Sequence, residues 1–290
     1  MFFRKILAGF LLVSALVCAG VLVLGSALAN PQQCPIVAPP TGLALESIQI
    51  PAKNGYSIAG WFIQGQNSKP GVLLLHSVRS NRLEMIGRAG FLNKAGYSVL
   101  LIDMQAHGET PGEHITFGYR ESFDAHTALN YLKSRIPGQK VGVIGVSLGG
   151  AAALLGETPI DADAVVLEAV YSSIENAIKN RLAIHLGEFG RIVSPLLEWQ
   201  IEPRLGVAPD SLSPIAAIIN LKSPVLIIAG ENDQHTLSDE SKGLFRAASE
   251  PKELWLIEGA HHQNFHRYAP TAYEHRILAF FGKHLGGGGA

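Results

Sequence analysis

Two stretches of alternating polar and apolar residues near position 50 are followed by a series of short, wholly apolar runs. The alternation over residues 45–50 and 56–63, with Asn54-Gly55 between them, predicts an antiparallel hairpin. The apolar runs predict buried strands at 71–76, 97–103, 141–145, 164–168, 224–230 and 253–258, and helical spacing alternates with them at 82–94, 121–135, 239–248 and 271–283. This order predicts an α/β fold, with a doubly wound and mostly parallel sheet covered by helices on both faces. The carboxyl ends of the strands should share one edge.

Residues 171–213 interrupt the alternation. They contain two helical stretches, 174–186 and 189–200, and a proline-punctuated loop, but no clear strand. Because this region follows a strand end, it predicts a small helical lid over the active edge. Its apolar residues suit an acyl chain, but they equally suit ordinary lid packing, which is the preferred interpretation; they are Leu182, Ile184, Leu186, Phe189, Ile192, Leu196, Leu197 and Trp199.

The first 29 residues have the composition of an export segment. Arg4 and Lys5 precede an uncharged run over 6–29. The basic start and the final Ala-Leu-Ala fit a signal peptide cut after Ala29, and the run is also long enough for an uncleaved transmembrane anchor. The length of the run favours the anchor. In both cases the basic residues stay on the cytoplasmic side. The rest of the chain is therefore expected outside the cytoplasm, either anchored in the membrane or secreted or periplasmic.

The remaining chain divides into three predicted parts. These are a proline-rich linker at 30–42, an α/β domain at 43–285 and a flexible glycine tail at 286–290. Beyond residue 29 the single cysteine, Cys34, lies in the linker and is interpreted as a spacer residue. This excludes an internal disulfide and a cysteine-based zinc site. The chain carries 23 basic and 24 acidic residues with no basic stripe, so nucleic acid is not an expected partner.

The segment VGVIGVSLGGAAALL, residues 141–155, carries the strongest chemical signal. An apolar strand leads into Ser147, and a helix-forming Ala/Leu run follows at once. This is the context of a nucleophile elbow, in which a sharp strand-to-helix turn exposes a serine. Gly145 and Gly149 are expected where backbone approaches backbone too closely for a side chain. The alternative interpretation is a serine that merely caps a helix after a core strand, and the flanking strand and helix favour the elbow over it.

A serine needs a base, and the base needs a carboxylate to orient it. In this topology the expected chain order is serine, acid, histidine, each at a strand end. Asp233 follows the strand ending at residue 230, and His262 follows the strand ending at 258. His262 is preferred over His261, and Glu231 is a weak rival of Asp233 because it lies too close to its strand. The predicted catalytic residues are therefore Ser147, Asp233 and His262.

Two backbone N–H groups are expected to stabilise the oxyanion. One belongs to Leu148, directly after Ser147. The other belongs to Val78, in the loop 76–81 that follows the first parallel strand.

Four segments together resemble the α/β-hydrolase superfamily, across roughly residues 43–285. They are GVSLGG at 145–150, GENDQHT from 230, GAHH from 259 and DMQAHGET at 103–110, the last of which is usually structural in the family. The chain is most similar to its small-lidded members, described as lysophospholipase-like or serine-aminopeptidase-like. The resemblance implies cofactor-free and metal-free hydrolysis of an ester, thioester or amide through an acyl-enzyme. One departure is Ser77, which follows His76 where the family has glycine, and its side chain is expected to narrow the oxyanion hole or shift the loop.

The leading hypothesis is a serine hydrolase acting on carboxylic esters, with a small-molecule ester or an acyl lipid as its substrate. A peptidase of the same fold is the nearest alternative, and Arg181, Arg191 or Arg204 would have to hold a peptide terminus. A catalytically silent binding domain of the same fold is the alternative from another class. Membrane contact is expected only through an uncleaved N-terminal segment.

Overall fold

The computed structural model describes residues 2–36, 42–53 and 55–286, except the side chains of Phe10, Val13 and Ser14. Within these ranges, β-strands account for both a large and a small sheet. The strands are β1 Gln32–Gln33, β2 Glu46–Pro51, β3 Ser57–Ile63, β4 Gly71–Leu75, β5 Ser98–Ile102, β6 His107–Gly108, β7 Val141–Val146, β8 Ala164–Glu168, β9 Val225–Gly230 and β10 Lys252–Ile257.

Helices separate most of these strands. They are α1 Phe2–Ala29, α2 Ile86–Lys94, α3 Glu121–Arg135, α4 Leu148–Leu154, α5 Ile174–Glu198, α6 Ile201–Leu205, α7 Pro214–Ala217, α8 Ser238–Ala247, α9 Phe265–Tyr268 and α10 Pro270–Leu285. Short 3₁₀ turns lie at Arg82–Met85, Pro209–Ser211 and Ile218–Asn220. The strands and helices predicted from the sequence are confirmed, with end shifts of a residue or a few.

The large sheet has eight strands in the order β10-β9-β8-β7-β4-β5-β3-β2. Strands β2 and β3 pair antiparallel, as the alternation predicted, and β3 pairs antiparallel with β5. From β5 to β10 every neighbouring pair is parallel. The carboxyl ends of these parallel strands therefore meet at one edge, where α/β proteins build their sites.

Successive residues of β4 pack into two separate hydrophobic cores, because side chains on a strand alternate between the faces of a sheet. Leu73 and Leu75 pack with residues of α3, α4 and α8. Val72 and Leu74 pack with residues of α2 and α10 on the other face. Since both faces are covered, the strands are apolar throughout rather than alternating.

The two helical stretches predicted for the lid region, 174–186 and 189–200, correspond to α5, and the short helix α6 follows. Gly187 has φ 59° and ψ −141°, a non-helical conformation that divides α5 at the point where the sequence placed the boundary between two helices. A Cβ on Gly190 would lie 2.4 Å from the carbonyl oxygen of Leu182, so glycine allows the two halves to pack closely.

The N-terminal segment forms one long helix, α1. Among the residues whose side chains are described, no helix is both long and apolar enough to cross a membrane.

The segment predicted as a linker differs from a free spacer over its described part, 30–36. The backbone N–H of Gln32 donates to Ala106 at 2.7 Å, and that of Cys34 donates to Gly108 at 2.8 Å, so β1 pairs with β6. The local sequence could not predict this pairing, because β6 lies far from β1 along the chain. The rest of the linker at 37–41, the turn residue Asn54 and the tail at 287–290 lie outside the described residues.

Candidate active site

Ser147 sits between β7 and α4 in a strained backbone conformation, with φ 49° and ψ −106°. A positive φ is uncommon for a residue with a side chain and marks a position that the surrounding structure must enforce. A Cβ on Gly145 would lie 2.6 Å from the backbone of Gly149, and one on Gly149 would lie 2.4 Å from the carbonyl oxygen of Leu75. Both glycines are therefore required by close backbone approach, as predicted, and the turn has the geometry of a nucleophile elbow.

Asp233 lies three residues after the end of β9, and its side chain is fully buried. Its Oδ1 accepts hydrogen bonds from the backbone N–H groups of His235 at 2.8 Å and Thr236 at 2.9 Å. Its Oδ2 lies 2.7 Å from Nδ1 of His262. Because a carboxylate only accepts, Nδ1 of His262 carries a proton, and in the neutral imidazole Nε2 is then the acceptor. A histidine in this state can take a proton from a hydroxyl.

The structure distinguishes the rival residues. Nδ1 of His261 lies 3.0 Å from the carbonyl oxygen of Asn232, and the His261 side chain is exposed. Glu231 is also exposed. Asp233 and His262 thus pair with each other, and His262 lines the same cavity as Ser147. The catalytic roles of the three residues stay a prediction.

The two expected oxyanion donors lie on the same cavity. Leu148 and Val78 both line it. Leu148 is the first residue of α4, so its N–H has no partner within the helix. Ser77, by contrast, does not line the cavity. Its N–H and its hydroxyl both donate to Oε2 of Glu84 at 2.8 Å, so the Ser77 side chain is held by Glu84.

The DMQAHGET segment has a structural role, as the resemblance implied. The carboxylate of Asp103 accepts hydrogen bonds from the backbone N–H of Arg82 at 2.7 Å and of Glu109 at 2.9 Å, and it pairs with the Arg82 guanidinium. Burial raises the pKa of Asp103, and the Arg82 charge opposes that shift. Asp103 therefore holds the loop together and does not reach the cavity.

Ser147 lines a cavity of about 530 Å³. The volume is within the range of small-molecule sites. Most of the lining is apolar and comes from the lid and the N-terminal helix, including Leu24, Leu28, Ile174, Ile178, Leu182, Leu186, Leu197, Ile201 and Leu205. Among the described residues, no Asp or Glu lines the cavity. Positive charge comes from Arg79, Arg181 and Arg204.

The apolar lid residues divide between two surfaces, so lid packing alone does not account for them. Leu182, Leu186 and Leu197 line the cavity. The remaining five, Ile184, Phe189, Ile192, Leu196 and Trp199, are exposed on the protein surface, and Leu186 is also partly exposed there. The preferred interpretation of the sequence, packing within the lid, is therefore incomplete.

The sequence interpretation missed His235, which lines the cavity. Its ring centroid lies 5.0 Å from that of His262. Burial lowers the pKa of His235, and the nearby charges of Arg181, His262 and His185 lower it further. His235 is therefore mainly neutral at pH 7. The signal for this residue was its position in the acid loop, two residues after Asp233.

The described part of the chain contains no cluster of side chains that would bind a metal ion. No group of three or more His, Cys, Asp or Glu side chains there is arranged to hold an ion.

Comparison with known sequences places these features in a family. The family described as serine aminopeptidase S33 matches residues 66–213, about half of the chain. The chain is 24% identical to the uncharacterized protein YqkD of Bacillus subtilis over 234 residues, covering 78% of this chain and 77% of YqkD. It is 25% identical to the uncharacterized protein YfhR of Escherichia coli K12 over 252 residues, covering 83% of this chain and 82% of YfhR.

Solved structures show the same fold. The esterase Pf2001 of Pyrococcus furiosus superposes with a TM-score of 0.72 at 23% identity, covering 89% of this chain and 99% of the esterase. The α/β hydrolase GrgF of a Penicillium species superposes with a TM-score of 0.65 at 16% identity, covering 84% of this chain and 99% of GrgF.

Proposed function

The chain belongs to the serine aminopeptidase S33 family of α/β hydrolases and is a hydrolase; from that premise we propose that it is a serine hydrolase that cleaves carboxylic esters through an acyl-enzyme. The single observation that carries the proposal is the arrangement at one cavity of the strained Ser147 and of His262, which is held at 2.7 Å by the buried Asp233. A serine hydrolase of this type needs a positioned nucleophile, a base in the correct tautomer and a third group that fixes the base.

The proposed reaction uses these groups in turn. Oγ of Ser147 attacks the ester carbonyl carbon while Nε2 of His262 takes the hydroxyl proton. The negative oxygen of the tetrahedral intermediate accepts hydrogen bonds from the N–H groups of Leu148 and Val78. The imidazolium then gives its proton to the leaving alkoxide, which departs as the alcohol. Water then attacks the carbonyl carbon of the acyl-enzyme while Nε2 of His262 takes its proton. The imidazolium returns this proton to Oγ of Ser147, and the carboxylic acid is released.

The cavity lining favours an ester over a peptide with a free amino terminus. An aminopeptidase must hold an α-ammonium group, for which a carboxylate is the natural partner. Within the described residues no Asp or Glu faces the cavity, whereas apolar side chains cover most of it. The proposed substrate is therefore an ester with an apolar acyl group, such as an acyl lipid, a lysophospholipid or a thioester.

A peptidase that holds a carboxylate is the second candidate, because Arg181 lines the cavity beside His235. A panel of p-nitrophenyl esters and aminoacyl-p-nitroanilides separates the two functions. The proposal expects faster turnover of the esters, and this turnover should disappear in Ser147→Ala. Faster turnover of the anilides would contradict the ester proposal, and a folded chain that turns over neither would favour a silent binding domain.

We also propose that the chain acts outside the cytoplasm, since Arg4 and Lys5 precede its long uncharged run. Alkaline phosphatase fused after residue 285 should be active in a bacterial host if export occurs, and should be inactive if the chain stays in the cytoplasm.

A further inference from the structure

The end of the N-terminal helix α1 forms one wall of the cavity that contains Ser147. Leu24, Gly25, Leu28 and Ala29 line it together with residues of the lid and the elbow. These positions precede the α/β domain in the sequence, and no catalytic motif includes them. They nevertheless face the same space as the proposed nucleophile.

The last turn of α1 is held by the domain. The final four carbonyl groups of a helix have no partner within it and need one elsewhere. Here the carbonyl oxygen of Ala29 accepts from the backbone N–H of Ile115 at 2.9 Å, and that of Ala27 accepts from the Arg79 guanidinium at 3.0 Å. Ala29 is only 2% exposed. These contacts fix the helix end as part of the folded domain.

The lid holds the preceding turn. Arg204 donates to the hydroxyl of Ser26 and to the carbonyl oxygen of Leu22, the latter at 3.2 Å. A Cβ on Gly25 would lie 2.7 Å from Oε1 of Gln200, so the helix and the lid approach closely at this point. The wall is thus attached on both sides, to the domain and to the lid.

We propose that Leu24 and Leu28 are specificity residues of the active enzyme, which complete the binding site for a linear acyl chain and set the chain length it accepts. This inference rests on the ester hydrolysis proposed above. Leu28 lines the same cavity as the lid residues Leu182 and Leu197, and all of these side chains are apolar. Each methylene buried against such a surface favours binding by about fourfold.

The proposal also concerns processing of the chain. Cleavage after Ala29 would remove Leu24 and Leu28 and open the cavity along one side. The catalytically active form is therefore expected to retain residues 21–29, and of the two interpretations of the N-terminal segment a cleaved signal peptide is the one that this excludes.

The test compares two tryptophan variants on one helix in the full-length chain. Leu28→Trp places bulk in the cavity, whereas Val23→Trp places it on the outer face of α1, where Val23 is 69% exposed and does not line the cavity. The readout is the ratio of kcat/KM for p-nitrophenyl decanoate to that for p-nitrophenyl acetate. The proposal expects this ratio to fall by about tenfold or more in Leu28→Trp and to stay unchanged in Val23→Trp. If the natural chain and Leu28→Trp gave the same decanoate-to-acetate ratio, the proposal would be overturned.

A second variant keeps the test decisive if Leu28→Trp does not fold. Leu28→Ala enlarges the cavity and should raise the relative rate on tetradecanoate over decanoate; an unchanged profile would contradict the proposal. The intact mass of the purified active protein should show that residues 21–29 are retained. An active form that begins at residue 30 would also overturn the proposal. If the natural chain hydrolyses none of these esters, the proposed function itself has failed.

Discussion

The backbone N–H of Ser147 donates a 2.7 Å hydrogen bond to the carbonyl oxygen of Glu168. The nucleophile elbow is thereby tied to the end of β8. The side chain of Glu168 is fully buried and receives a two-point contact from Arg88, with its Nε at 3.0 Å and its Nη2 at 2.5 Å, and a hydrogen bond from Tyr273. A buried ion pair thus supports the strand that positions Ser147.

Glu168→Gln should destabilise the fold strongly. The change leaves the buried Arg88 guanidinium without a counter-charge, which costs about 3–5 kcal/mol in the free energy of unfolding. Urea unfolding followed by circular dichroism measures it. Lys179→Gln breaks the exposed pair with Glu175 and should cost less than about 1 kcal/mol. Equal losses in the two variants would contradict the importance assigned to the buried pair.

Asp233→Asn should reduce activity without unfolding the chain. The asparagine oxygen can still accept from the N–H groups of His235 and Thr236, but its NH₂ group would face His262. The imidazole would then carry its proton on Nε2 and lose its ability to accept one from Ser147. We expect kcat for ester hydrolysis to fall on the order of 10⁴-fold. A loss below tenfold would remove Asp233 from the proposed mechanism.

Gly145→Ala should destabilise the elbow, because its Cβ would lie 2.6 Å from the backbone of Gly149. Overpacking of this kind costs about 1–3 kcal/mol. Gly90→Ala is the matched control: it lies in α2, and a Cβ there would meet nothing within 4 Å. That control should gain up to about 1 kcal/mol from helix propensity. Thermal unfolding distinguishes them, and a neutral Gly145→Ala would show that the elbow has room to relax.

Lowering the pH should destabilise the chain through the pair of buried histidines, His76 and His107, whose ring centroids are 5.0 Å apart. Burial lowers the pKa of His107 to about 4, and the His76 charge adds to the effect. The unfolded chain therefore binds more protons between pH 6.5 and 4, so stability is present above this window and is lost as the pH falls through it. Protonation of the unfolded chain at His107 should lower the free energy of unfolding by about 3 kcal/mol across this window.

His107→Asn retains a donor for the carbonyl oxygen of Gln105, to which His107 Nδ1 donates at 2.9 Å, but it cannot titrate. The free energy of unfolding should therefore depend less steeply on pH in this variant between pH 6.5 and 4. Denaturant unfolding at several pH values, with the exposed His275→Asn as a control, measures the slope. Identical slopes in His107→Asn and the natural chain would contradict the assignment.

The sheet, its helices and the Asp233–His262 pair were predictable because each depends on local pattern. Apolar runs mark buried strands, and chemistry-bearing residues at strand ends converge once the sheet is parallel. The division of α5 at Gly187 was equally local. The wall formed by Leu24 and Leu28 was not predictable, because the uncharged run in the N-terminal helix carries no sign of what it packs against. The pairing of β1 with β6 was not predictable either, because the two strands lie far apart along the chain.

Labelling with a fluorophosphonate probe tests the central claim most directly, namely that Ser147 is an activated nucleophile. The account predicts one adduct on the natural chain, located at Ser147 by peptide mass spectrometry. The adduct should be absent from Ser147→Ala and greatly reduced in His262→Ala, while circular dichroism shows both variants folded. A folded natural chain that takes no label, or a Ser147→Ala variant that labels equally, would contradict it.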